Sequence, residues 1–311
     1  MSTLRDPWYK ERHMATRSTR TLEELDLRIL FGDVYRQTAT MLSRHYMHLK
    51  KIRLDIDGGD WGVHVKQHDM STLGDHPLPA LEELEYHSNR QAPIEASFVI
   101  PLLKKCPNLK RILLDTRMAD PIYRALVGLD LPHLQHLSIL ETDTKMDGLE
   151  EFLFSIAHTN SPLKSFEFKG NVFNSRIIYQ ALAQISSLRH IELNDFAWRK
   201  RDKICVTRCL RQLRGDSSTI SNLESIVFCN VEGFMTVEAF GSLRKIPSLK
   251  QVTLHRCGSI SEPGLRLLVD RKPPLEFLEI HLSSSTMDGK SLEPTLTYAR
   301  SKIHRVKATG P

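Results

Sequence analysis

One pattern constrains this chain more than any other: a leucine followed by apolar residues three and five positions later returns ten times. The runs begin at Leu22, Leu49, Leu81, Leu109, Leu134, Leu163, Leu188, Leu223, Leu249 and Leu275, as in Leu49-Lys-Lys-Ile52-Arg-Leu54 or Leu188-Arg-His-Ile191-Glu-Leu193. Successive first leucines lie 25 to 35 residues apart, and a weaker copy, Ile303-His-Arg-Val306-Lys-Ala308, follows the tenth. Each run has the period-two alternation of a short strand. The segments between them have helical spacing, as in Ile94, Phe98 and Leu102 or Ile122, Leu126 and Leu129. Asp120-Pro121 and Asn174-Ser175 read as helix starts, and Pro107, Pro132, Pro162, Pro247 and Pro274 stand just before strands, so the helices end before them.

One strand and one helix make each unit, and a single unit cannot bury its own apolar face. Consecutive units must therefore stack. The expected fold is α/β, a leucine-rich-repeat solenoid or horseshoe with a parallel concave sheet and convex helices. A doubly wound sheet or closed barrel also alternates strands with helices, but neither calls for one strand motif in ten places. Residues 21–311 read as one repeat domain of about ten to eleven units, and residues 1–20 as a basic N-terminal segment or truncated cap.

A composition of 41% hydrophobic and 26% charged residues over 311 positions supplies a core and excludes a disordered or fibrous chain. No apolar run approaches the roughly 18 residues of a membrane span, and residues 1–20 are too charged for a secretory signal, so a cytoplasmic or nuclear protein is expected. Cys106, Cys205, Cys209, Cys229 and Cys257 are odd in number and lack CxxC spacing, which fits reduced thiols. The net charge of +6 is local: residues 199–214 hold seven Lys and Arg against Asp202, which is +6, so the remainder sums to zero.

The repeats resemble those of ribonuclease-inhibitor-like and F-box-associated leucine-rich-repeat proteins. The stretch most similar is Leu249 to Val269, LKQVTLHRCGSISEPGLRLLV, which looks like the cysteine-containing repeat of F-box substrate receptors. Asn89, Asn171 and Cys257 match the family's ninth repeat position, whereas Leu30, Asp57, Arg117, Thr142, Phe196, Val231 and Ser283 depart from it. The resemblance implies recruitment of substrates to a ubiquitin ligase, with a ligase adaptor as partner. In that family a helical F-box precedes the repeats, and nothing in MSTLRDPWYKERHMATRSTR resembles one. Neither end carries an obvious polar repeat cap, so the chain is also readable as a fragment with an F-box upstream.

Positions three and five of each run point away from the core, onto the concave surface. In the first four repeats they read Glu24 and Asp26, Lys51 and Arg53, Glu83 and Glu85, then Arg111 and Leu113, alternating in sign. Strands about 4.8 Å apart would set these opposite charges side by side, either as a stabilising ladder or as a docking surface. A protein partner on this face is expected to meet Arg53, Glu85, Arg111 and Glu192 through charge and Leu113 and Phe277 through apolar contact.

Other groupings bring together residues of catalytic, metal-binding or basic type. Position seven of four successive repeats carries Asn194, Cys229, His255 and His281, but a parallel row does not by itself converge and no nucleophile motif accompanies it. His64, His68, Asp69 and His76 fall in a glycine-containing stretch that reads as a repeat insertion. Gly289-Lys290-Ser291 lacks the earlier glycine of a phosphate loop and reads as a solvated turn. No catalytic residue, metal or cofactor is expected. If helical, the basic segment turns Ile204, Val206, Cys209, Leu210 and Leu213 inward and leaves Arg201, Arg208, Arg211 and Arg214 as a patch for an acidic protein. Sequence-specific nucleic-acid recognition is disfavoured, with Trp198 alone available for stacking. The sequence thus points to a non-enzymatic protein-interaction scaffold, the alternative being a nucleic-acid- or anionic-surface-binding protein acting through 199–214.

Overall fold

The computed structural model describes residues 23–29, 42, 45–56, 77–88, 93–116, 120–129, 131–141, 147–159, 161–170, 176–194, 210–211, 222–230, 235–257, 260–281 and 289–309. The chain divides into two compact units, residues 1–134 and 135–311.

The first unit holds strands β1 (Glu24–Ile29), β2 (Lys51–Ile56), β3 (Glu83–Ser88) and β4 (Arg111–Asp115), with helices α1 (Pro93–Lys104) and α2 (Asp120–Val127). Its strands pair in chain order and in parallel. The second unit holds β5 (His136–Glu141), α3 (Asp147–His158), β6 (Ser165–Gly170), α4 (Arg176–Gln184), β7 (His190–Asn194) and β8 (Ser225–Cys229). It continues with α5 (Val237–Arg244), β9 (Gln251–His255), α6 (Glu262–Val269), β10 (Phe277–His281), α7 (Gly289–Lys302) and β11 (Arg305–Thr309). Here too every neighbouring pair is parallel and consecutive. The architecture in each unit is that of an α/β leucine-rich-repeat solenoid.

Each of the ten strands expected from the motif starts two residues after its leucine, and the weak copy at Ile303 supplies β11. Among the described residues the leucines stand just before their strands, and Leu49, Leu81, Leu109, Leu134, Leu163 and Leu249 are wholly buried. Positions four and six complete the buried face, from Ile52 and Leu54 on β2 to Leu278 and Ile280 on β10. Among the described residues β11 alone relaxes this rule, with Val306 and Ala308 half-buried. Its open-face residues Arg305 and Lys307 suit an edge, where charge discourages further strand addition.

Two devices join one repeat to the next. The carbonyl at position two accepts from the N–H groups of positions two and three of the following repeat, as Lys50 and Lys51 donate to Glu23 at 2.7 and 3.1 Å. Immediately before the leucine, polar side chains reach back one repeat: Asn108 Nδ2 donates to the Pro79 carbonyl at 2.8 Å, Asn222 Nδ2 to Ser186 at 2.8 Å and Ser248 Oγ to Leu223 at 3.0 Å. Arg271 is buried beneath the turn that precedes β9, where its guanidinium donates to the carbonyls of Leu249, Ile246 and Pro247.

The helices end before the prolines that precede the strands, as expected. Thr236 caps α5 by accepting from Ala239 N at 3.2 Å, and Ser261 caps α6 by accepting from Gly264 N at 3.3 Å. Gly264 lets α6 lie close to α5: a Cβ there would stand 2.6 Å from Phe240 Cδ2 and 3.0 Å from Val237 Cα. Gly289-Lys290-Ser291, expected as a solvated turn, instead opens α7, because the buried Leu292 and Leu296 seat this helix from its first turns. Among the described residues no helix is long and apolar enough to cross a membrane.

Candidate functional site

Burial alternates along the strands, so that the side chains of positions three, five and seven form an open face opposite the core. Parallel register sets them in lateral rows. In the first unit Glu24 lies beside Lys51 and Asp26 beside Arg53. Lys51 then lies beside Glu83, Arg53 beside Glu85, and Glu83 beside Arg111. Lys51 Nζ reaches Glu85 Oε1 at 3.0 Å and Glu83 Oε2 at 3.4 Å, and Arg53 Nε stands 3.9 Å from Glu85 Oε2. Burial pushes the Glu85 carboxyl upward, yet Lys51, then Arg53 and Arg111, together hold it below the usual Glu value. The expected alternation of sign is thus a physical ladder, and Glu85 is its buried rung. Leu113 lies beside Glu85 on β4 and is half-buried.

A second ladder, at position two, escaped the sequence reading. Lys50 Nζ pairs with Glu23 at 3.1 Å, Lys110 with Glu82 at 2.8 Å, and Lys250 with Glu224 at 2.9 Å. The sign alternation is legible there too, from Glu23 to Lys50 to Glu82 to Lys110, but position two precedes the strands, outside the face that the alternation of positions three and five defines.

The open face of the second unit is richer in histidine. On β7, Asn194 Nδ2 donates to Glu192 Oε1 at 2.8 Å, and His190 Nε2 lies 3.9 Å from Glu192 Oε2. His190, followed by Asn194, keeps the Glu192 carboxyl below its ordinary value against the effect of burial. Phe277 opens β10 half-buried, with Arg305 Cζ 5.5 Å and Lys307 Nζ 5.6 Å from its ring centroid. Arg53, Glu85, Arg111 and Leu113 are therefore brought together in the first unit. Glu192 and Phe277 lie three strands apart in the second, about 14 Å at the usual strand spacing.

The position-seven row does converge at one end. Asn194, Cys229, His255, His281 and Thr309 lie side by side in register. The rings of His255 and His281 stack with centroids 3.9 Å apart. Glu279, two residues before His281 on the same face, places Oε1 3.1 Å from His281 Nε2 and Oε2 3.9 Å from His255 Nε2. Among the described residues these three are the group of metal-binding type whose ligand atoms lie within 4.8 Å of one another. A row read only laterally misses Glu279. Reading along the strand as well, with period two, would have found it.

The cysteines differ in setting. Cys106 is buried, donates to the Leu102 carbonyl at 3.0 Å, and burial pushes its thiol up to about 12, which makes it unreactive. Cys257 is likewise buried and donates to the Phe228 carbonyl. Of the basic patch, Arg211 is exposed and pairs with Glu238 at 3.3 Å. Arg201, Arg208 and Arg214 lie outside the described residues, as do His64, His68, Asp69 and His76.

Fold and site together define a class: an α/β repeat solenoid presenting ordered rows of charged, apolar and imidazole side chains on the open face of a parallel sheet. No family model matches the chain, and no curated protein matches it.

Proposed function

We propose that this protein is a non-enzymatic interaction scaffold that holds a protein partner on the open face of its sheet. The observation that carries this reading is the registered array itself: Lys51, Arg53, Glu83, Glu85 and Arg111 are fixed in rows by paired strands. A partner meeting such an array reads many positions without the entropy cost of ordering a loop; half-buried Leu113 offers an apolar anchor beside Glu85 in the first unit, and half-buried Phe277 one beside Arg305 and Lys307 in the second. Within this role, the resemblance to F-box-associated repeats supports substrate recruitment to a ubiquitin ligase in the cytoplasm or nucleus. Cys106, Cys229 and Cys257 stand as thiols rather than disulfides, which suits a reducing compartment.

The test is affinity capture from the source cell with the intact chain, run beside Leu113→Glu and Phe277→Glu. The proposal expects a reproducible partner whose recovery falls at least tenfold with either substitution while thermal unfolding stays within about 2 °C, as for surface changes. A ubiquitin-ligase adaptor or its client among the captured proteins supports the special case. Full recovery with both variants would place the interface elsewhere.

A further inference from the structure

We propose that His255, Glu279 and His281 form a binding site for a divalent transition-metal ion of the zinc class on the open face of the second unit. The proposal is independent of the scaffold reading.

The backbone builds the site without a loop. Glu279 and His281 are alternate residues of β10 and share one face, while His255 is the lateral neighbour of His281 on β9. Arg256, held in the left-handed region at φ 46°, turns the chain away just after His255, and its N–H donates to the His281 carbonyl at 2.8 Å. Both histidines are therefore set at paired strand ends.

Zinc bound at about 2.0–2.1 Å in tetrahedral geometry needs ligand atoms about 3.3 Å apart. Glu279 places Oε1 3.1 Å from His281 Nε2 and Oε2 3.9 Å from His255 Nε2, and one ligand atom from each of the three residues lies within 4.8 Å of the others, so side-chain rotations bring them to that spacing. Two imidazoles and one carboxylate are a borderline donor set that suits zinc, with cobalt, nickel and copper as competitors. Three protein ligands leave a fourth position open to water or to a partner's side chain.

The surrounding groups prepare the ligands. Thr309 Oγ1 hydrogen-bonds His281 Nδ1, which turns Nε2 toward Glu279. Nε2 is buried and lacks hydrogen-bond alignment with the carboxylate despite its proximity. His281 Nε2 and Glu279 Oε1 thus face each other at 3.1 Å, where a cation could take both as ligands. Burial, reinforced by His281, holds His255 below its ordinary value. Burial raises Glu279, but His281, Lys307 and His255 outweigh it and hold the carboxyl below its ordinary value.

Lys307 is the competing cation, with Nζ 3.5 Å from Glu279 Oε1. Its side chain is 49% exposed and free to swing into solvent when a metal takes its place. Removing it should therefore tighten metal binding, the opposite of what a ligand substitution does.

The experiment is isothermal titration of the untagged full chain with Zn2+, paired with the visible absorption of a Co2+-loaded sample. The wild type should show one saturable site with a tetrahedral cobalt spectrum. His281→Ala, His255→Ala and Glu279→Gln should each weaken that site at least tenfold, and Lys307→Ala should strengthen it by roughly threefold, the scale of a surface ion pair. Circular dichroism melts without metal identify any variant that fails to fold; the conservative Glu279→Gln and the outward Lys307→Ala keep the test decisive. Zinc binding of wild-type strength in all three ligand variants would assign it to the other histidines and overturn the proposal. So would the lack of a saturable site in the wild type.

Discussion

Ile191→Ala and Glu192→Ala are adjacent substitutions on β7 that should differ severalfold in cost. Ile191 is 1% exposed and lies between Phe166 and Ile226, both wholly buried on the flanking strands. Truncation removes three buried carbons at about 0.8 kcal/mol each, or about 2.4 kcal/mol. The flanking strands are fixed by their ladder and cannot collapse into the gap, so the cavity brings the total to about 3–4 kcal/mol, within the known range. Glu192 instead loses one bond from Asn194 and a distant contact with His190 on a side chain 30% exposed, worth about 0.2–1 kcal/mol. In urea, with a slope of about 2 kcal/mol/M, the midpoint should fall by about 1.5–2 M for Ile191→Ala and by less than about 0.5 M for Glu192→Ala. Equal shifts, or a larger one for Glu192→Ala, would refute the inward and outward assignment of the strand.

Three further outcomes follow from particular contacts. Glu85 has a depressed folded-state pKa, so its contribution is complete above the unfolded value and is lost as pH falls through the folded one. Glu85→Gln should accordingly cost about 0.5–1 kcal/mol at pH 7, and the gap to wild type in urea melts should begin to close below about pH 4.3 and then vanish. Gly264→Ala should destabilise by about 1–3 kcal/mol, because its Cβ would collide with Phe240 and the Val237 backbone; an unchanged midpoint would mean that α5 and α6 separate freely. Arg271→Met should cost about 2–4 kcal/mol by stranding the carbonyls of Ile246 and Leu249, and wild-type melting would show that water replaces the guanidinium.

The strands were legible because the repeat enforces itself: one apolar spacing, copied ten times, leaves a parallel stacked sheet as the economical way to bury every face. The first ladder was legible for the same reason, since sign alternation from Lys51 to Glu83 to Arg111 becomes lateral contact once strands stack in register. What escaped depends on contacts that no single-strand pattern encodes. Asn108, Asn222 and Ser248 look like ordinary turn residues until their side chains are seen reaching the preceding repeat. Arg271, a charged residue in a turn, reads as exposed, yet the carbonyls left open by the turn before β9 draw it inside. The imidazole cluster needed two periodicities at once, lateral from His255 to His281 and longitudinal from His281 to Glu279.

The central claim, that a partner docks on the open face of the sheet, is tested most directly by lysine footprinting of the captured complex against the free chain. Lys51, Lys169 and Lys307 stand on that face, whereas exposed Lys104 and Lys245 mark helix ends. Quantitative acylation read by mass spectrometry should show protection of Lys51, Lys169 or Lys307 on complex formation, with Lys104 and Lys245 labelled as before. Protection confined to Lys104 and Lys245, with the open-face lysines as reactive as in the free chain, would contradict the account.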